Sequence, residues 1–253
     1  MAGNGDGDGD GDGGKILVTF DVDGTLMRSV GPLANRLHKR AFSHAMEEIF
    51  GVRDATIDVV KHHGSTDPII LVSTLEHYGV PRQESTAKLP ELKASMVGYA
   101  HDHASEIGDG LELLPGVYHL LQTLSKDESF LIGLVTGNLE GIAWMKMVSL
   151  GIEEFFSVPH FGGFGSDHED RGELVKLSRQ KALQLFDKTI RLHAHVGDTP
   201  NDVAAAELGG ALPVAVCTGI FTGSELRQAS GTNAVILDDL TNAEAFLAIF
   251  GGF

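Results

Sequence analysis

The sequence predicts an α/β fold: a doubly wound, mostly parallel sheet core carrying an inserted, all-helical cap. Two observations predict it. Short apolar runs rich in β-branched residues alternate with amphipathic stretches over most of the chain, which is the pattern of a parallel sheet covered by helices on both faces. Between residues 32 and 105 the strand signals stop and a helical stripe takes over. A chain of 253 residues, 42% of them apolar, is large enough for one core domain with a smaller insert.

The first 14 residues alternate Gly and Asp, have nothing to bury, and read as a disordered tail. Asp8, Asp10 and Asp12 have the spacing that opens a calcium loop. The twelfth position, Thr19, lacks the bidentate Glu that such a loop needs. Lys15 to Phe20 then reads as a buried parallel strand that ends in Asp21-Val22-Asp23-Gly24-Thr25. The core is placed at residues 15–28 and 110–253, and the cap at 29–109. In the cap, Leu33, Leu37, Ala41, Ala45 and Ile49 recur every four residues, widened by Phe42, Met46 and Phe50. Further helices are expected from Pro68 to Tyr78 and from Leu89 to His103.

After Leu114-Pro115-Gly116 the alternation resumes. Strands are expected at Phe130–Val135, His193–Val196, Pro213–Cys217 and Ala234–Leu237. Helices are expected at Val117–Leu124, Leu139–Leu150, Gly172–Phe186, Asp202–Leu208 and Asn242–Phe250. Phe161-Gly162-Gly163-Phe164-Gly165 is either a loop near the site or a plain connector. Trp144 and the stretch Met145 to Met147 lie in an apolar helix, and core packing accounts for them.

The formal charge is −16, and removing the four acids of the tail, Asp6 to Asp12, still leaves a strongly acidic body. No run of Lys and Arg interrupts it, so nucleic acid and anionic membranes are not expected partners. No segment approaches a membrane span, and the acidic, glycine-rich start is unlike a secretory or mitochondrial signal. Cys217 is the single cysteine, in an apolar run. It reads as a buried, inert thiol in a reducing, cytoplasmic compartment. Of the twelve histidines, His193 and His195 share a strand face, but no third zinc ligand is suggested.

Three strand ends carry one chemistry. Asp21 and Asp23 follow the first strand, Thr136-Gly137-Asn138 the second, and Gly197-Asp198-Thr199-Pro200-Asn201-Asp202 a later one. A parallel sheet brings these ends to one edge. Carboxylates gathered there repel one another, and a hard divalent cation resolves the conflict, with Mg²⁺ the usual choice beside phosphate. Asp21 can then attack phosphorus, and Asp23 can protonate the leaving oxygen and later deprotonate water. Thr136 and the amides of Gly137 and Asn138 can bind phosphoryl oxygens. Asp198 and Asp202, with Asp21 and the Asp23 carbonyl, would hold the metal. Arg171, Lys176, Arg179 and Lys181 are the candidate cations for the phosphoryl group. His62 and His63 precede the turn at Gly64 and are candidates to face a substrate.

The motifs Asp21-Val22-Asp23-Gly24-Thr25, Thr136-Gly137 and Gly197-Asp198-Thr199 followed by Asp202 resemble, in order and spacing, those of the haloacid dehalogenase superfamily of phosphatases. The resemblance runs from about Ile16 to the C-terminus. It implies a Rossmann-like core, Mg²⁺, an aspartyl-phosphate intermediate and a helical cap. Leu114-Pro115-Gly116-Val117 and Gly64-Ser65-Thr66-Asp67 look like the phosphoglycolate phosphatase branch; His63, Gly64 and Thr66 are the candidate substrate contacts from the cap. Where many relatives carry a Lys-Pro-x-Pro stretch, this chain has Glu169-Asp170-Arg171-Gly172, so Arg171 is the first choice for the phosphate-binding cation and Lys181 the second. The expected substrate is a small phosphorylated metabolite, phosphoglycolate-like or a sugar phosphate, turned over by a monomer or homodimer. The alternatives are a phosphomutase of the β-phosphoglucomutase type, a haloacid dehalogenase, which has little use for Asp23, and a non-catalytic binding module.

Overall fold

The computed structural model describes residues 14–62, 64–231 and 234–251. The expectations for the Gly/Asp tail, including the calcium spacing, lie outside the described residues apart from Gly14.

Six strands form one parallel sheet: β1 (Lys15–Phe20), β4 (Phe130–Thr136), β5 (Gly162–Phe164), β6 (Ile190–Gly197), β7 (Leu212–Val216) and β8 (Val235–Leu237), in the order β5-β4-β1-β6-β7-β8. Alternation along β1 explains why the strand reads as a continuous apolar run. Ile16, Val18 and Phe20 pack with Leu120, Leu121 and Leu124 of α5 (Val117–Ser125) and Phe246 of α10 (Ala243–Ala248). Leu17 faces the other way, toward Leu131, Phe161 and Ala182 of α7 (Arg171–Phe186). Both faces of the strand are therefore covered, as parallel sheets require. The remaining core helices are α6 (Glu140–Ser149), α8 (Pro200–Leu208) and α9 (Gly223–Ala229).

The chain runs outward from β1 to β4 and β5, then returns to place β6 on the other side of β1. The strand order reverses at β1, and ligands in such sheets bind outside the carboxyl ends at that point. The motifs carrying Asp21, Thr136 and Asp198 therefore sit side by side. The Phe161–Gly165 stretch contains an edge strand: β5 pairs with β4 through Gly162 and Gly163.

The insert consists of α1 (Arg36–Phe50), α2 (Asp67–His77), α3 (Arg82–Ala87) and α4 (Leu89–Asp102). The first helix starts later than its stripe suggests. Asn35 takes a left-handed conformation at φ 54, which stops the helix from extending back to Pro32 and leaves Leu33 in a turn, 42% exposed. Leu37, Ala41, Ala45 and Met46 pack against Leu71, Leu75, Leu92 and Met96, and the cluster continues onto Leu139, just before α6, and Ile142 of α6. Apolar burial of this kind is worth about 1.5–3 kcal/mol per large side chain, so the insert is seated on the core helix rather than tethered loosely. The two crossings between insert and core pair with each other as antiparallel strands, β2 (Met27–Ser29) and β3 (Leu111–Leu113). Among the described residues no helix is long and apolar enough to cross a membrane. Cys217 is partly rather than fully buried, and burial raises its thiol pKa, which disfavours the reactive thiolate.

On the β1 face shared with α7, Thr19 Oγ1 lies 3.0 Å from His193 Nε2 and 3.2 Å from His195 Nδ1. The third partner of this histidine pair is thus a hydroxyl. Burial, with the nearby His195 and Arg179, pushes the His193 pKa down to about 3. Unfolding returns this imidazole toward about 6.5, so the unfolded chain binds the extra proton. Stability from the neutral His193 is complete above pH 6.5 and is lost as the pH falls toward 3, at about 1.4 kcal/mol per pH unit. We expect His193→Gln to lose less stability than the wild type between pH 6.5 and pH 4.5 in urea unfolding. Parallel losses in the two proteins would contradict a buried neutral His193.

Candidate active site

Asp21 follows β1 directly and is 4% exposed, and its amide donates to Val196 O of β6. Asp198 and Asp202 reach the same point from the end of β6 and the start of α8. One carboxylate oxygen from each of Asp21, Asp198 and Asp202 lies within 4.8 Å of the others. Local chemistry fixes each. Thr25 Oγ1 donates to Asp198 Oδ1 at 3.1 Å. Asp202 Oδ2 accepts from the Thr199 amide at 3.0 Å and from its hydroxyl at 2.6 Å, and Thr199 Oγ1 accepts from the Asp202 amide at 3.2 Å, a capping box that starts α8. Gly24, at φ 95, lies against the Asp198 carboxylate, and a Cβ there would overlap it.

Arg171 Nη2 meets Asp21 Oδ1 at 2.6 Å and its Nη1 lies 2.9 Å from Asp202 Oδ1. The guanidinium is 9% exposed, so the pairs are desolvated and strong only while both signs are present. Arg171 opens α7, whose N-cap Asp170 accepts from the amides of Gly172 and Glu173. The other candidate cations lie further along the same helix, where a rise of about 1.5 Å per residue carries them away from the site. Lys176 pairs with Glu173, and Arg179 donates to Ile190 O. Lys181, the second choice, lies apart from the acids: its Nζ pairs with Asp167 at 2.8 Å and lies over Phe164, and it is not among the residues lining the pocket.

The electrostatics of the cluster are divided. Burial raises the Asp21 carboxyl well above the usual range, with Asp202, Asp198 and Asp23 adding to the effect and Arg171 opposing it. Burial and Asp202 push Asp198 up to about 7. Burial also acts on Asp202, but Arg171, His195 and Thr199 outweigh it and hold that carboxyl at about 2. Asp202 Oδ1 is enclosed and accepts no aligned hydrogen bond. Two carboxylates whose charge is opposed, beside a third that Arg171 holds ionised, form an all-oxygen donor set suited to a hard divalent cation.

Asp23 belongs to a different network. Its carboxylate receives Lys146 Nζ on both oxygens, at 2.9 and 2.8 Å, and Asn138 Nδ2 on Oδ2 at 2.8 Å. Partial burial would raise its pKa, but the Lys146 charge and bonds outweigh it and push it down to about 2. The Asp23 side chain therefore faces Lys146 and not the three acids. Lys146 is the residue that sequence reasoning missed by absorbing it into the Met145–Met147 packing. The signal was present: it falls four residues after Ile142 and three after Ala143, on the buried face of α6, where a cation requires a carboxylate partner.

Thr136 is 1% exposed, and its hydroxyl accepts from Asn138 Nδ2 at 3.0 Å and from the Asn138 amide at 3.4 Å. Gly137 is pressed by the insert, because a Cβ there would overlap Ser65 O, and Gly137 O accepts from the Asp67 amide at 2.8 Å. Asp67 Oδ2 in turn accepts from the Leu139 amide at 2.9 Å and lies 3.1 Å from His38 Nε2. The start of α6 is thus partly occupied by an acid from the insert. Gly64, Ser65, Asp67 and His62 line the pocket, and Gly64 O accepts from Asn201 Nδ2 at 2.8 Å. Thr66 is fully buried, donates to Glu169 O at 3.3 Å, and is not among the residues lining the pocket. His63 lies outside the described residues.

These residues surround a cavity of about 430 Å³ between insert and core. Asp21, Asp198, Thr136 and Arg171 line its floor, and His38, Phe42, Ile57 and Ile70 line its roof. A group on the floor would touch the Asp21 carboxylate, the Arg171 guanidinium and the three-acid donor set together.

The chain belongs to the haloacid dehalogenase-like hydrolase family, whose profile matches residues 17–210. It is therefore a hydrolase. It is 28% identical over 220 residues to a phosphoglycolate phosphatase of Yersinia pestis, covering 85% of each chain. It is 26% identical over 219 residues to a phosphoglycolate phosphatase of Chromobacterium violaceum, covering 86% of this chain and 92% of that one. Among solved structures, a hydrolase from Pseudomonas syringae superposes with a TM-score of 0.58 at 19% identity over 93% of this chain and 98% of that one. CbbY from Rhodobacter sphaeroides, solved in complex with phosphate, superposes with a TM-score of 0.54 at 16% identity over 90% and 96%. These structural likenesses establish the shared fold.

A cation held by the three acids would stabilise the folded chain by mass action, about 2.7 kcal/mol at a hundredfold excess over its dissociation constant. We expect magnesium to raise the melting temperature of the wild type and chelation to reverse the rise, with Asp198→Asn losing most of the effect. A wild type whose melting temperature ignores the cation would show that the acids do not bind it.

Proposed function

We propose that this chain is a Mg²⁺-dependent phosphomonoesterase that acts on a small phosphorylated metabolite through an aspartyl-phosphate on Asp21. The observation that carries the proposal is the buried Asp21 carboxylate, held by Arg171 beside two further acids at the strand-order reversal. Phosphoryl transfer needs positioning and charge neutralisation more than covalent chemistry from the protein, and this floor offers both.

Asp21, Asp198 and Asp202 would hold the metal, with the Asp23 carbonyl as a further oxygen donor. When bound, Mg²⁺ supplies positive charge to phosphoryl oxygens that otherwise meet a wall of carboxylates. In the first half-reaction an Asp21 oxygen forms a bond to phosphorus as the bond to the leaving oxygen breaks. Asp23 gives its proton to that oxygen, and the alcohol departs. In the second, Asp23 accepts a proton from water, whose oxygen attacks phosphorus and releases Asp21 and inorganic phosphate. Arg171 draws charge from the transferring group, while Thr136 and the amides of Gly137 and Asn138 are candidate donors to its oxygens. The low Asp23 pKa keeps its carboxyl ionised, the form that accepts the proton of water in the second half-reaction. The approach of a phosphate dianion raises proton affinity at Asp23 by like-charge repulsion, which favours the first.

The insert would act as the cap of residues 29–109, closing over the leaving group and excluding water. His62, Gly64 and Ser65 lie where they can touch that group. Relatives that are phosphoglycolate phosphatases support a small acid phosphate, and the roofed cavity also admits a sugar phosphate. The reading includes a cytoplasmic enzyme, monomeric or homodimeric, with no nucleic acid or membrane partner.

The decisive variant is Asp21→Asn. Phosphate release from a panel of phosphorylated metabolites with Mg²⁺ should fall by about 10³-fold or more while circular dichroism still reports a folded protein. Acid-quenched turnover of ³²P-labelled substrate should leave label on wild-type protein and none on the variant. Unchanged turnover by Asp21→Asn rules out the covalent route.

A further inference from the structure

Lys146 is fully buried at 0% exposure, yet it lies on the core helix α6, outside the three strand-end motifs. A buried ammonium with no partner would cost several kcal/mol. Here its three bonds go to both oxygens of Asp23 and to Asn138 Oδ1 at 2.9 Å. Asn138 closes the ring by donating to Asp23 Oδ2 and to Thr136 Oγ1. The Asn138 amide orientation follows from this pattern, because a carboxylate only accepts and an ammonium only donates. Four side chains from three segments therefore lock one another.

The lock has a functional direction. The Asp23 side chain is 37% exposed at the pocket and would otherwise sample several rotamers. Its other neighbour from the insert side, Asn35 Nδ2, is distant at 3.5 Å. Lys146 and Asn138 supply the short contacts, and both approach from the core. We infer that Lys146 is a positioning residue that fixes the Asp23 carboxyl for proton exchange with the leaving oxygen and with water. It touches neither Asp21 nor the acid triad, and so acts on the reaction through Asp23. The inference rests on the phosphatase reading and extends it to a side chain that the three motifs do not include.

This role separates leaving groups. An alkyl phosphate loses a strongly basic alkoxide and depends on a well-placed acid, whereas p-nitrophenyl phosphate loses a stable phenolate and does not. The test measures kcat and KM for an alkyl phosphate turned over by the wild type and for p-nitrophenyl phosphate, in the wild type, Lys146→Met, Lys146→Gln and Asp23→Asn. We expect Lys146→Met and Lys146→Gln to lower kcat on the alkyl phosphate by about 100-fold, while kcat on p-nitrophenyl phosphate falls by about fivefold or less and KM shifts by less than about threefold. Lys146→Gln retains a donor to Asp23 and keeps the test usable if Lys146→Met does not fold. A loss of equal size on both substrates, or no loss, overturns the positioning role. The Asp23→Asn protein separates the two levels: if it also fails to discriminate between the substrates, the acid role of Asp23 is wrong. If it discriminates and the Lys146 variants do not, only the inference about Lys146 fails.

Discussion

The structure depends on one electrostatic constraint: several carboxylates share a floor that water barely reaches. Asp21, Asp198 and Asp202 are each 4% exposed or less. Like charges so placed are unfavourable unless cations reach them, and the fold supplies one directly through Arg171. Removing one partner of such a buried pair commonly costs about 3–5 kcal/mol. The start of α7 is therefore bound to the end of β1 and the start of α8 by charge as well as by apolar packing.

Two cations divide the acids between them. Arg171 serves Asp21 and Asp202, and Lys146 serves Asp23. Asp198 has a single hydroxyl donor from Thr25 and no cation within pairing distance among the described residues. This division distinguishes two carboxylates that stand two residues apart. Asp21 carries opposed charge and turns toward the three-acid set, whereas Asp23 is fully compensated and turns toward α6. A single environment would give both residues the same character, so this separation leaves one short loop with two chemically different carboxylates.

The insert closes the floor by contacts that reach the same machinery. Gly64 O accepts from Asn201 and lies 3.4 Å from Arg171 Nη1, and Asp67 accepts from the amide at the start of α6. These are polar contacts over a small area, while the larger apolar seam runs from the insert to Leu139 and Ile142. The seam anchors the insert at one side, and the polar contacts meet at the pocket edge. Motion between them would change the contacts of Arg171 and of α6 together.

Much of this was legible in the amino-acid sequence because it is encoded locally. Apolar runs ending in Asp, Thr-Gly or Gly-Asp specify strands and strand ends, and a parallel sheet must bring such ends to one edge. The core strands, the three acids and Thr136 follow from that rule, and the helical insert from its apolar stripe. What remained undecided depends on distance and phase. Among four cations on one helix, only the first, Arg171, lies over the strand ends; Lys181 lies about 15 Å along the axis and pairs elsewhere. Thr66 is buried with its hydroxyl donated to Glu169 O, a partner 103 residues later, and Asn35 stops α1 through a left-handed backbone that composition does not reveal. Lys146 was hidden for a related reason, since its partner stands 123 residues earlier in the chain. The order of motifs determined which chemistry gathers at the sheet edge, while only the tertiary packing decided which cation meets which acid, because those pairings form across segments that share no local pattern.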